Sequence, residues 1–259
     1  MGDFYSYGKL PSTFHENEYV FLKDSTEKII DIYCYQNGTF RKVQYPTIEN
    51  EYAGMIKPRN PGQIIAMDML KDSTSKVKLV RGVYGSGKDY LMHNQALEDL
   101  KSEKFDKIVY IRPNVTVANV PDIGFLKGDV DDKLNWTLAP FLDKVGGQDG
   151  LDYLVRTGQI ESVPLLFIRG RSFEKSLIYV CEGQNITSEI AKLIISRVGE
   201  GSELWINGDT HQTDKKVYEQ DNGIVKMIDK LTGHPLFGYV YLSKTERGEV
   251  ANLANLLDE

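Results

Sequence analysis

Residues 82 to 90 read GVYGSGKDY and follow an apolar run, VKLVRGV, at 77 to 83. A glycine, four residues, then glycine and lysine is the spacing of a phosphate-binding loop. Such a loop must leave a buried strand and enter a helix, so that backbone amides and the helix dipole converge on an anion. This restricts the fold to α/β types with a mostly parallel sheet. Gly82, Gly85 and Gly87 allow the turn, and Lys88 supplies a point charge for the phosphates. Tyr84 and Ser86 within the loop, and Asp89 and Tyr90 at the helix start, complete the candidate contacts. Position 89 normally carries a hydroxyl for Mg²⁺; here it carries a carboxylate.

That substitution is electrostatically expensive by itself. A carboxylate about 4 Å from a phosphate oxygen is repelled by on the order of 4 kcal/mol at an effective dielectric of 20. An acid in a first helical turn gains only about 0.3 to 1 kcal/mol from the dipole. A cation bridging Asp89 and the phosphates reverses the sign, and Mg²⁺ prefers oxygen ligands.

The rest of the chain fits the α/β reading. KIVYIRP (107 to 113), SLIYVCE (176 to 182), ELWING (203 to 208) and YVYLSKT (239 to 245) read as further strands. QIIAMDMLKD, a segment from about Lys88 to Leu100, TSEIAKLIISRVG and GEVANLANLL read as helices. Ahead of them, YVFLK, IIDIYCYQ and TFRKVQY alternate around Asn37-Gly38, a strong hairpin signal. Residues 1–58 therefore read as a small β-meander element, and KPRNPG at 57 to 62 marks the boundary to a core spanning 59–259.

The net charge of −6 offers no general attraction for nucleic acid, so such a partner needs a local basic patch. Two cysteines, Cys34 and Cys181, are too few for a disulfide framework and fit a cytoplasmic interior. No apolar run reaches membrane-spanning length. Met1-Gly2 with Ser6 matches a short myristoylation pattern that recurs by accident. His15, His93, His211 and His234 have no metal-like spacing.

Beyond the strand at 177 to 181, Glu182 stands at a carboxyl end, the ligand side of an open α/β sheet. It is the candidate for orienting an attacking water and, with Asp89, for holding a metal. Cys181 occupies the place of the usual metal-site Asp and cannot replace it, because a thiol is soft and largely neutral at pH 7. Gly208-Asp209 and Gln212 follow the strand ELWING and are read either as a turn or as site residues.

The blocks KPRNPGQ, GVYGSGK, VYIRPNV, DIGFLKGDVDDKL, FIRGRS, EGQNIT, RVGEGSELWINGDTHQTD, DNGIVKMIDK and PLFGYVYLSKTERGEVANLA, in this order, resemble the PhoH family of ATPases, relatives of superfamily-one helicases. The likeness is to the PhoH half of proteins that also carry a PIN nuclease. No PIN-like segment precedes the blocks, so the expectation is the motor module without the nuclease, in a form often phage-encoded. The resemblance implies a P-loop core of RecA or superfamily-one type, using ATP with Mg²⁺. It implies RNA or single-stranded nucleic acid as partner and a homo-oligomeric ring. It also implies that Gln63 reads adenine, that Asp209 and Gln212 sense the γ-phosphate, and that Arg247 serves a neighbouring subunit's nucleotide as an arginine finger. Arg112, Arg169 and Arg171 match family positions on the nucleotide or nucleic-acid side.

The family pattern has Ser or Thr at 89 and Asp at 181, so one carboxylate has left the strand and one has entered the loop. The reading is an ATP hydrolase, or RNA helicase, whose metal carboxylate has moved from strand to loop. Its rival is a degenerate nucleotide-binding scaffold with little turnover, and a weaker third is a small-molecule kinase.

Overall fold

The computed structural model describes residues 13–113, 137–210 and 212–248. The Gly2 and Ser6 pattern, the block DIGFLKGDVDDKL, His211 and the closing helix from residue 249 lie outside the described residues.

The first elements among the described residues are β1 (Glu18–Lys23), β2 (Ile29–Gln36) and β3 (Thr39–Lys42), an antiparallel three-stranded sheet. Asn37 and Gly38 join β2 to β3 with φ of 51° and 75°, the left-handed pair that a two-residue hairpin requires. The sheet packs through Ile32, Cys34 and Val43 on Ile64 and Ile65 of α1 (Pro61–Lys71). Arg41 grips Asp68 of that helix through two bonds of 2.9 and 2.7 Å, and Tyr19 adds a third at 2.8 Å. A short hairpin, β4 (Ile48–Asn50) with β5 (Gly54–Ile56), follows. Ile48 and Ile56 bury against Met67 and Leu91, so this hairpin packs on the core although it precedes residue 58.

The core sheet holds β6 (Val77–Gly82), β7 (Lys107–Ile111), β8 (Ile160–Ser162), β9 (Ser176–Val180), β10 (Glu203–Gly208) and β11 (Phe237–Leu242). Its order is β11-β6-β10-β9-β7-β8 and every pairing is parallel. The connecting helices are α2 (Lys88–Lys101), α3 (Gln148–Arg156), α4 (Ser188–Ile195), α5 (Lys216–Gln220) and α6 (Gly223–Leu231). Strand residues alternate between two cores. Val80, Tyr179 and Trp205 meet α1 and α2 on one face, while Leu79, Ile178 and Ile206 meet α4 and α6 on the other. Coverage on both faces is why these strands read as continuous apolar runs. β8 and α3 went unread in the sequence because three residues give no period and a glycine interrupts the helix.

One feature of the sheet is ionic. Lys78 and Glu203, both almost fully buried, pair at 2.8 Å between β6 and β10. Lys78 also donates to the carbonyls of Leu70, at 2.8 Å, and Asp72, while Glu203 accepts from the Trp205 indole at 3.0 Å.

Candidate nucleotide site

β6 ends at Gly82, and the loop turns through Gly85 and Gly87 at φ of 72° and 86° before α2 begins at Lys88. Only residues without a Cβ adopt such angles cheaply. A cavity of about 610 Å³ opens above the loop, at the carboxyl ends of the strands. Its walls include Gln63, Gly85, Gly87, Lys88, Asp89, Tyr90, Arg112, Cys181, Glu182 and Arg247.

Asp89 points toward the ends of β9 and β10. Its Oδ1 accepts from the Asn207 amide at 2.6 Å and lies 3.8 Å from the Cys181 thiol, which donates to it. Its Oδ2 is 3.8 Å from the Lys88 ammonium. The loop carboxylate thus stands beside the position where the strand Asp is expected. Burial pushes the Cys181 thiol up to about 12, with the Asp89 charge acting in the same direction, so sulfur remains neutral there.

Glu182 follows β9 in the left-handed conformation, φ 55° and ψ 42°. A non-glycine residue held so costs on the order of 1 to 3 kcal/mol and such strain gathers at functional sites. Its amide donates to Asn207 Oδ1 at 3.0 Å, and its carboxylate accepts from Gln184 at 2.7 Å. Asn207 therefore links Asp89, Glu182 and, at 2.9 Å, the Tyr179 hydroxyl. Sequence reading missed it. The available signal was an amide after the apolar run Leu204–Ile206, near the ligand end of the strand.

Among the described residues no group of three or more His, Cys, Asp or Glu stands together as a metal cage. Mg²⁺ in a triphosphate site needs only one or two carboxylates, because phosphates and waters supply the rest. Asp89 and Glu182 fit that requirement, whereas Cys181 does not.

Other expected residues divide. Arg112 lines the cavity, but Arg169 and Arg171 do not. Arg171 pairs with Glu161 at 2.8 Å and lies over Phe173, while Arg169 faces Glu189 at 3.9 Å on the open surface. Asp209 is buried just beyond β10, its amide donating to Gln184 Oε1 at 3.1 Å, and it receives the Gln212 amide at 3.0 Å. Neither residue lines the cavity. His93 is buried among Phe141, Tyr110 and Tyr179, and burial pulls it down to about 4, in keeping with a packing role for a neutral ring.

Arg247 is not helical. Its guanidinium lies 3.8 Å over the Tyr84 ring of its own loop, and the neighbouring Glu246 amide donates to Gly85 O at 2.9 Å. A Cβ at Gly85 would come within 2.7 Å of Arg247 Cγ. In this chain Arg247 and Glu246 therefore pack on their own loop, and we propose that Arg247 acts there. Mixing Lys88→Ala with Arg247→Ala protein is accordingly expected to restore no phosphate release beyond the sum of the two; recovery in the mixture would place the arginine across an interface.

A parallel α/β sheet with a phosphate loop at the end of an inner strand defines a P-loop protein, nucleotide-binding and ATPase-like. The family described as PhoH-like protein matches residues 55–253, and the chain belongs to the PhoH family. Relatives include PhoH2 of Mycolicibacterium smegmatis, 32% identical across 85% of this chain and 51% of that protein. PhoH2 of Bacillus subtilis is 31% identical across 93% and 56%. The chain thus spans about half the length of these relatives. Among solved structures, the Pif1 helicase of Candida albicans is 12% identical, with a TM-score of 0.41 over 79% of this chain and 44% of that one. No helix among the described residues is long and apolar enough to cross a membrane.

Proposed function

We propose that this chain is a Mg²⁺-dependent ATPase that couples hydrolysis to remodelling of RNA or single-stranded nucleic acid. The observation that carries the hydrolytic part is the direction of Asp89, half exposed on the cavity and turned toward Cys181 and Asn207. The Coulomb penalty of a carboxylate beside phosphate makes that direction costly unless a cation is shared. Bound Mg²⁺ supplies charge neutralisation for the phosphates. Lys88 and the loop amides hold the phosphates, and Asp89 gives the metal oxygen. Glu182, clamped through its backbone by Asn207 and through its carboxylate by Gln184, orients the attacking water and accepts its proton. Arg247, over Tyr84, is placed to meet charge developing above the loop. A nucleic-acid partner and assembly into a ring of copies are what the sequence resemblance implies, and both are part of this proposal.

Glu182→Gln is expected to lower single-turnover phosphate release by about 100-fold or more, the usual scale for a positioned base, while nucleotide affinity stays unchanged. Equal loss of both would place Glu182 in binding instead. The coupling itself is tested by phosphate release with and without single-stranded RNA: stimulation supports the motor, and none at saturating RNA overturns it. The degenerate reading is favoured by the neutral Cys181 thiol, and it predicts tight retention of nucleotide with no phosphate release.

A further inference from the structure

Resting on the nucleotide-site reading, we infer that Gln63 is a positioning residue that fixes the phosphate loop, and that the site accepts nucleoside triphosphates without selecting the base. Gln63 lies in the first turn of α1, which Asn60 caps by accepting the Gln63 amide at 2.9 Å. Its carboxamide turns toward the loop. Nε2 donates to the Ser86 carbonyl at 2.9 Å, and Oε1 accepts the Arg59 amide at 2.9 Å. The residue is 3% exposed. A Cβ on Gly87 would stand 2.9 Å from Nε2, so the loop closes directly over the amide.

A carboxamide reads adenine by presenting its oxygen and its N–H₂ side by side on an open edge. Here one donor and one acceptor are spent inside the protein, and only 3% of the residue's surface remains open where it borders the cavity. Turning outward would leave the Ser86 carbonyl without its partner at a buried position. The bonds have an evident purpose of their own, since Ser86 sits between the two left-handed glycines and is fully buried. One contact from α1 therefore holds the loop's amides open toward the cavity.

Among the described lining residues near Gln63 in the chain or on its helix cap, no side chain is set to read a base edge. Ile56 is apolar, and Lys57 and Arg59 are cationic. Tyr90, 46% exposed, presents an aromatic face. The Glu246 carboxylate is engaged by Asn60 at 2.7 Å and Lys244 at 3.5 Å. Aromatic and guanidinium planes accept any base, because every base has a π face.

The test is displacement of a fluorescent triphosphate analogue by ATP, GTP, CTP and UTP from the parent and from Gln63→Ala, with amide hydrogen exchange of both nucleotide-free proteins. In the parent the four affinities should agree within about 3-fold, since stacking tolerates all bases. Gln63→Ala should weaken all four alike, by about 10-fold for a lost buried bond, and quicken exchange across Gly85 to Lys88. A parent that prefers ATP by 10-fold or more overturns the inference while leaving the nucleotide site intact, and this comparison needs no variant. Loop exchange unchanged in Gln63→Ala also overturns it. A parent that binds none of the four overturns the nucleotide site itself and this inference with it.

Discussion

Asp89→Thr is expected to lose most Mg²⁺-dependent phosphate release, and Asp89→Thr with Cys181→Asp is expected to recover it. The two side chains share one spot: the Asp89 oxygen and the Cys181 sulfur are 3.8 Å apart, with Asn207 bonded to the former. Removing the loop carboxylate that faces the proposed metal position forfeits an interaction of up to about 4 kcal/mol, or roughly 100- to 1,000-fold in rate. The double change returns the carboxylate to the strand and the hydroxyl to the loop. Cys181→Asp alone puts two carboxylates in contact, where like charge drives one toward protonation; its activity should fall at low Mg²⁺ and recover as Mg²⁺ rises. Full turnover by Asp89→Thr in a magnesium titration contradicts relocation.

Glu203→Gln should destabilise the fold by about 3 to 5 kcal/mol at pH 7, the cost of leaving one buried charge without its partner. Lys78 is fully buried, and Lys76 and Lys104, at 3.6 and 3.5 Å, converge on the same carboxylate. Removing the anion therefore leaves several cations facing one another. Burial already pulls Lys78 down to about 8 against the opposing pull of Glu203. The depressed value fixes the sign. Below pH 8 the lysine is charged in both folded and unfolded chains and its burial cost is fully felt; between pH 8 and its ordinary value near 10.5 the folded chain sheds the proton first and the cost is relieved. In Glu203→Gln this relief should begin at lower pH, so the loss measured by urea unfolding should shrink between pH 7 and pH 9. A deficit independent of pH would show that packing, not charge, governs the site. Lys78→Met should cost less, because Lys76 and Lys104 remain to neutralise Glu203.

Glycine spacing placed the loop, β6 and α2 in the sequence, since backbone angles of this kind leave a direct compositional trace. The Asn37-Gly38 hairpin was legible for the same reason. Strand ends were over-extended: SLIYVCE stops pairing at Val180, where Glu182 turns left-handed. Nothing local announces that turn. Partners far apart in the chain were also invisible. Glu161 claims Arg171 from 10 residues away, Ser86 claims Gln63 from 23, and Asn207 reaches Asp89 from 118. Residue type named these side chains as candidates, but burial and neighbours decided what each is free to do. Arg247 shows the same limit, because Tyr84 and Gly85 lie far upstream of it.

Under the proposed function, the carboxylate placed after the loop lysine keeps this site hydrolytic. Phosphate release from ATP by the unaltered protein, followed across a magnesium titration that includes none, tests it most directly. Turnover that is absent without Mg²⁺ and saturates as it is added is the predicted result. Bound ATP with no phosphate release at any Mg²⁺ concentration would contradict it.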